Sequence, residues 1–250
     1  MATIETTTTD AITTVTIDAP PVNALKPEDW DALRAAIDAA SEDRDVRAVV
    51  VRAPEGRFCA GADISVLAEP NNQEAYMLSL VRQAADAIRR CRVPVLAAID
   101  GPAYGGGLEL ALACDIKIAS PRATFAASGV NMGLIASVPS LAAAVGPTRA
   151  ALMLFTGTPI DANQAVAWSL ASLLVQDPNE QAHTLAVGLS NKAPLAVEAN
   201  KLALASFGSV TTEEHEEVVT ALYSDLEKSA DHAEAVEAFL NNRPPTFGRA

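Results

Sequence analysis

The sequence predicts an α/β core followed by a helical carboxy-terminal portion. Three observations lead there. Strand and helix signals alternate along the first part of the chain, strand signals fade beyond about Pro147, and helix-capping patterns then recur with no Gly/Ser linker or low-complexity tract between the halves. The core is assigned to residues 1–190 and the helical region to residues 191–250.

Ile12, Val15 and Ile17 stand among threonines in a short β-prone run that stops at Ala19-Pro20-Pro21. Pro27 followed by Glu28 and Asp29 opens a helix, because proline fits the first helical position and acids favour the positive end of the dipole. Trp30, Leu33, Ile37 and Ala40 mark its buried face. Residues 46–52 (VRAVVVR) and 94–100 (PVLAAID) read as buried strands, and residues 73–90 between them as a helix carrying Tyr76, Leu80, Ala84, Ala87 and Ile88 inward. After Gly105-Gly106-Gly107, residues 108–114 form a short apolar helix and residues 115–119 another strand. In the second part, Asp161 with Gln164, Thr211 with Glu214, and Asp231 with Glu234 are capping-box patterns. Val218, Leu222 and Leu226 recur at helical spacing between charged neighbours, so that helix packs one face.

The 250 residues include 31 acids against 18 bases, a formal charge of −13. That balance argues against nucleic acid or an anionic membrane as partner, because phosphate binding depends on clustered Lys and Arg. Half the residues are apolar and a fifth are alanine, with only 6 Phe, 3 Tyr and 2 Trp, so the core depends on close approach between small residues. Cys59, Cys91 and Cys114 are odd in number and form no C-x-x-C pair, which predicts buried thiols in a reducing compartment. The first residues carry no basic n-region or apolar h-region, and no run approaches ~18 uninterrupted apolar residues. A soluble, cytoplasmic protein is expected.

Three stretches carry candidate chemistry: residues 58–64 (FCAGADI), 104–109 (YGGGLE) and 128–134 (SGVNMGL). A glycine run at a helix start leaves backbone N–H groups unpaired and lets a ligand approach the chain closely. The phosphate-binding patterns G-x-x-x-x-G-K-[ST] and G-x-G-x-x-G are not completed. An oxyanion hole is the alternative, each donor contributing ~3 to 4 kcal/mol to a charged transition state. The bland reading is that three glycines only allow tight strand-to-helix packing. Glu109 shifts that balance, since a carboxylate among Leu108, Leu110, Ala111, Leu112 and Ala113 costs several kcal/mol to bury unless it is partnered or used. A buried salt-bridge partner is the rival explanation.

Together these stretches resemble the crotonase, or enoyl-CoA hydratase/isomerase, superfamily. The resemblance extends to residues 21–25 (PVNAL), 101–115, 156–162 (TGTPIDA), 193–196 (APLA) and the tail Ala238-Phe239-Leu240 with Arg243-Pro244. It implies a spiral of ββα units with perpendicular sheets, then helices that mediate trimer formation, often as dimers of trimers. It implies an acyl-CoA thioester as partner and no separate cofactor, since coenzyme A is part of the substrate. Carried over, the two oxyanion donors are the N–H groups of Ala62 and Gly106, beside Gly105, and would stabilise an enolate. Ala60, Asp63 and Ile64 match the segment lining the adenine site, and Lys26 is a candidate for the coenzyme A phosphates.

Family hydratases use two glutamates around one water. The first matches Glu109. The second falls in a segment similar to P-E-x-x-x-G-L-I-P, where this chain has Gly129, and a glycine neither delivers nor accepts a proton. The family's following G-A-G-G-T-Q-R-L is replaced by residues 137–141 (SVPSL). Hydration or isomerisation with Glu109 as acid/base is the leading expectation, with Glu69 as a possible second acid. Decarboxylation and acyl-CoA binding without turnover stay open. A serine hydrolase does not fit, because Ser128 lacks a G-x-S-x-G setting and His183, His215 and His232 lie in the helical half. No H-E-x-x-H or Cys/His cluster argues for a metal.

Overall fold

The computed structural model describes residues 3–67, 74–135 and 137–250. A hairpin opens the chain: β1 (Thr3–Thr9) and β2 (Ile12–Asp18) pair antiparallel with Thr9 opposite Ile12. The turn residues Asp10 and Ala11 both have positive φ, 51° and 63°. β1 was not expected, since its side chains are largely exposed threonines and the turn carries Ala where Gly would have signalled a tight hairpin.

The chain continues through β3 (Ala24–Leu25), α1 (Pro27–Glu42), β4 (Ala48–Arg52), β5 (Gly61–Ala62), α2 (Ile64–Leu67), α3 (Glu74–Arg90), β6 (Val95–Ile99), β7 (Pro102–Tyr104), α4 (Gly106–Ala113), β8 (Ile116–Ala119) and β9 (Thr124–Ala126). A 3-10 turn at Ser128–Met132 leads to α5 (Val138–Val145), α6 (Pro147–Thr156), β10 (Ile160–Asp161), α7 (Ala162–Ala167) and β11 (Leu173–Leu174). Four helices follow: α8 (Pro178–Ser190), α9 (Pro194–Ser206), α10 (Thr212–Leu226) and α11 (Ala230–Leu240).

The main sheet has the order β1-β2-β4-β6-β8-β11, parallel from β2 onward. Its central strands are apolar except for Arg52 at the end of β4 and Lys117 in β8, because both faces are covered. Val49, Val51, Ala97 and Ile99 face the large core with α1 and α3, while Val50, Leu96 and Ala98 face the opposite way onto Ala182 and Ala186 of α8. Two small sheets, β10-β9-β7 and β3-β5, stand at the strand ends and frame the site.

Three expectations are corrected. The inward residue of α3 is Met77, 2% exposed, whereas Tyr76 is half exposed. The cap of α11 is Ser229, whose Oγ accepts the His232 N–H at 3.1 Å; Asp231 is instead buried and accepts the N–H groups of Gly248 and Arg249, holding down the tail. The Val218, Leu222 and Leu226 stripe of α10 is only partly covered, and none of its residues is fully buried. The caps at Asp161 and Thr211 are as expected, accepting the N–H groups of Gln164 and Glu214.

Asn23 locks the lower rim of the site. It is fully buried at φ 55°, a conformation asparagine tolerates better than most residues. Its Oδ1 accepts the Ala19 N–H at 2.8 Å, and its Nδ2 donates to the Ile17 and Phe58 carbonyls, both at 2.9 Å. Replacing Asn23 by Leu strands three buried backbone groups, and Asn23→Leu is expected to cost about 3 kcal/mol in urea denaturation. A loss below about 1 kcal/mol would mean that water replaces the amide.

Candidate functional site

The site is assembled where the loop entering β5 presses against the turn from β7 into α4. Cys59 donates its N–H to the Pro102 carbonyl and accepts the Tyr104 N–H, both at 3.0 Å. A Cβ added to Gly107 would lie 1.9 Å from the Cys59 carbonyl oxygen. One added to Gly61, at φ +97°, would lie 2.7 Å from the Tyr104 oxygen and 3.0 Å from the Gly106 nitrogen. Backbone meets backbone here, which only glycine permits.

This contact brings two backbone donors to the wall of one cavity. Asp63 gives its N–H to the Leu25 carbonyl at 2.9 Å, so by strand alternation the preceding N–H, of Ala62, points away from β3. Gly106 begins α4, and its N–H is among those a helix leaves without an internal partner; the cap residue Gly105, at φ 51°, offers no side chain to it. The helix dipole adds positive potential at the same point. Ala62 and Gly106 line one cavity of about 790 Å³. Two N–H groups on the wall of an apolar cavity suit an oxygen on which negative charge develops.

Of the other residues singled out from the sequence, Ala60, Ile64, Gly105, Glu109 and Gly129 also line this cavity. Lys26 and Asp63 do not. Lys26 is exposed and caps α1 through its backbone, donating its N–H to Asp29 Oδ2 at 2.9 Å. The hydroxyl and N–H of Ser65 hold the Asp63 carboxyl below its ordinary value, aided by the charge of nearby Lys26. Glu69 lies outside the described residues. Ile64, Met77, Val81, Met132, Leu134 and Ile135 give the cavity its apolar character, and Ile64 and Ile135 stand largely exposed on its rim.

Glu109, one turn after Gly106, is only partly buried, whereas Gly107, Leu108, Leu110, Ala111 and Ala113 of α4 are buried. Its carboxylate is partnered: Arg89 Nη2 donates to Oε1 at 2.6 Å and Ser140 Oγ donates to the same oxygen at 3.1 Å. Among the described residues no donor reaches Oε2. Arg89 Nη1 is held by Asp86 Oδ1 at 3.0 Å, and Asp86, Arg89 and Ser140 all line the cavity. Sequence reasoning anticipated a salt-bridge partner without finding it. The available signal was the spacing of Arg82, Asp86 and Arg89 on one helical face, but arginines in a last turn are ordinarily explained by the helix dipole. Gly129 contributes only backbone.

Cys59 and Cys114 are fully buried, and burial pushes both thiols up to about 12. Neither is a nucleophile at neutral pH. Among the described residues no group of three or more His, Cys, Asp or Glu side chains is placed to hold a metal, and no helix is long and apolar enough to cross a membrane.

Fold and site together define an α/β protein whose strand-end backbone and partnered carboxylate line one apolar cavity. A family model described as enoyl-CoA hydratase/isomerase matches residues 7–250, and the chain belongs to that family. It is 40% identical over 207 residues to a probable enoyl-CoA hydratase of Mycobacterium tuberculosis, covering 78% of each chain. It is 33% identical over 243 residues to the mitochondrial methylglutaconyl-CoA hydratase of Mus musculus, covering 90% of this chain and 75% of that one. The crystal structure of an enoyl-CoA hydratase from Bacillus anthracis superposes with a TM-score of 0.94 at 25% identity, over 100% of this chain and 99% of that one. The expected crotonase-type fold is the fold of the chain.

Two outcomes check this geometry. Gly61→Ala drives a methyl group against the Tyr104 oxygen and the Gly106 nitrogen at a positive φ, and is expected to cost about 1 to 3 kcal/mol in urea denaturation; an unchanged midpoint would mean that the contact yields. Because the Cys59 and Cys114 thiols stay protonated well above pH 8, a thiol reagent at pH 8 should modify neither in the native protein and both after unfolding. Rapid native labelling of Cys59 would mean that the strand-end contact opens.

Proposed function

We propose that the protein acts on acyl-CoA thioesters, with the N–H groups of Ala62 and Gly106 holding the thioester oxygen and Glu109 as the acid/base. The observation that carries this reading is the juxtaposition of the free N–H pair with a carboxylate whose Oε2 is unengaged. In hydration, Oε2 takes a proton from water and the hydroxide oxygen bonds Cβ. The double-bond electrons move through Cα onto the thioester oxygen, and the proton returns from Glu109 to Cα. In isomerisation, Oε2 removes a Cα proton from a 3-enoyl thioester and returns it to Cγ. Either sequence leaves Glu109 as it began, so one carboxylate suffices where Gly129 supplies none.

The rest of the assignment follows the family. Ala60, Asp63 and Ile64 would flank the adenine and Lys26 the phosphates of coenzyme A, which enters as part of the substrate with no separate cofactor. The three buried thiols agree with a cytoplasmic setting. Exposed Phe155, Phe207, Phe239 and Leu240 supply the apolar surface that a trimer or a dimer of trimers would cover.

A second reading, acyl-CoA binding without turnover, is favoured by one observation: Glu109 Oε1 is already engaged by Arg89 and Ser140. A panel of 2-enoyl, 3-enoyl and malonyl-type CoA thioesters separates these readings. Turnover of an enoyl thioester is expected, and Glu109→Gln should reduce kcat about 1000-fold while the affinity for a saturated acyl-CoA stays within about threefold. Turnover of the malonyl-type thioester alone would assign a decarboxylase. Binding of every thioester with turnover of none would assign a binding protein.

A further inference from the structure

The side chains around Glu109 form a closed figure. Arg89 Nη2 donates to Glu109 Oε1 at 2.6 Å and to Ser140 Oγ at 3.0 Å, while Ser140 Oγ donates to the same Glu109 oxygen at 3.1 Å. Asp86 holds the other arm of the guanidinium through Nη1 at 3.0 Å. The three elements involved, α3, α4 and α5, are distant in sequence, and all four side chains face the cavity. We propose that Arg89 is the positioning residue of the site: with Ser140 it clamps Glu109 Oε1, leaving Oε2 as the only oxygen that exchanges protons with the bound thioester. The inference rests on the reading of Glu109 as the acid/base.

Physical reasons favour positioning over a purely structural pair. The Arg89–Asp86 pair is 37% and 49% exposed and contributes little to stability, whereas Glu109 is 13% exposed, so its pair with Arg89 holds a mostly buried carboxylate in one place. A glutamate side chain otherwise samples several rotamers, and fixing the reacting oxygen before substrate arrives removes that freedom from the barrier. Gly129 provides no acid, and on the proposed reading Glu109 serves both proton transfers, so the aim of its reacting oxygen matters more than where two acids share the work. Ser140 comes from residues 137–141, the stretch that departs from the family pattern. The altered stretch that follows the segment of Gly129 therefore supplies a hydroxyl to the oxygen that Arg89 holds.

The test compares the full chain with Arg89→Met, Arg89→Lys and Ser140→Ala, measuring kcat and KM on the best thioester of the panel, affinity for butyryl-CoA, melting temperature, and crystal structures of the wild type and Arg89→Met. Arg89→Met should lower kcat about 100-fold with KM and butyryl-CoA affinity within about threefold, and Glu109 should move by more than about 0.5 Å, beyond the tolerance of a productive site. Arg89→Lys should recover about tenfold of that loss, and Ser140→Ala should cost about fivefold. An unchanged kcat with Glu109 in place would overturn the proposal. So would a fall in butyryl-CoA affinity equal to the fall in kcat, which would make Arg89 a substrate-binding residue. If the wild type turns over no thioester, the proposed function fails, and the crystal structures alone decide positioning: a displaced Glu109 supports it and an undisplaced one overturns it.

Discussion

The constraint on which the structure depends is the backbone contact between the loop entering β5 and the turn entering α4. Gly107 lies against the Cys59 carbonyl, and Gly61 against the Tyr104 carbonyl and the Gly106 nitrogen, at distances that exclude any Cβ. Beneath them, Trp30 and Val81 approach within 3.1 to 3.3 Å of where a Gly106 Cβ would stand, so the platform has no room to slide. Close packing fixes the spacing of the Ala62 and Gly106 N–H groups. It also sets the first turn of α4, and with it the place of Glu109.

This explains why the sequence is so alanine-rich and so poor in large rings. Small side chains let α3, α4 and the central strands approach until main-chain groups form part of the cavity wall, where on the proposed reading they are the oxyanion donors. Such donors are fixed before a ligand arrives and need no reorganisation as charge develops. The net charge of −13 gave no hint of this. The charged residues of the cavity wall, Arg82 and Arg89 against Asp86 and Glu109, cancel in formal charge. Local dipoles, rather than the overall field, favour an oxyanion there.

Much of the fold was legible because it is written locally. The runs 46–52 and 94–100 contain the central strands β4 and β6, Pro27 with two acids opens α1, and the glycine run begins α4. Residues 60–64 and 105–109 were singled out by their glycine spacing, and of these Ala60, Ala62, Ile64, Gly105, Gly106 and Glu109 line one cavity. What escaped was relational. Arg89 meets Glu109 across 20 residues and Ser140 meets it across 31, and no local pattern encodes such a contact. Met77 displaced Tyr76 as the core residue because adjacent positions on a helix differ by about 100° and either satisfies an approximate stripe. β1 escaped because Ala11 takes a left-handed conformation usually left to glycine or asparagine.

The same distinction bears on the departure at Gly129. In isolation it reads as the loss of one acid, and the natural inference is a weakened or inactive site. The surrounding structure adds to that picture, since residues 137–141 place Ser140 on Glu109 and α3 adds a guanidinium to the same oxygen. A site with two acids can divide proton removal and proton delivery between them and tolerate some freedom in each. A site with one acid must return the proton it takes, so its reacting oxygen has to address both positions from a single orientation. On the proposed reading, the clamp on Oε1 is the compensation such chemistry requires. Without that clamp, the same carboxylate would spend most of its time in rotamers that satisfy neither transfer.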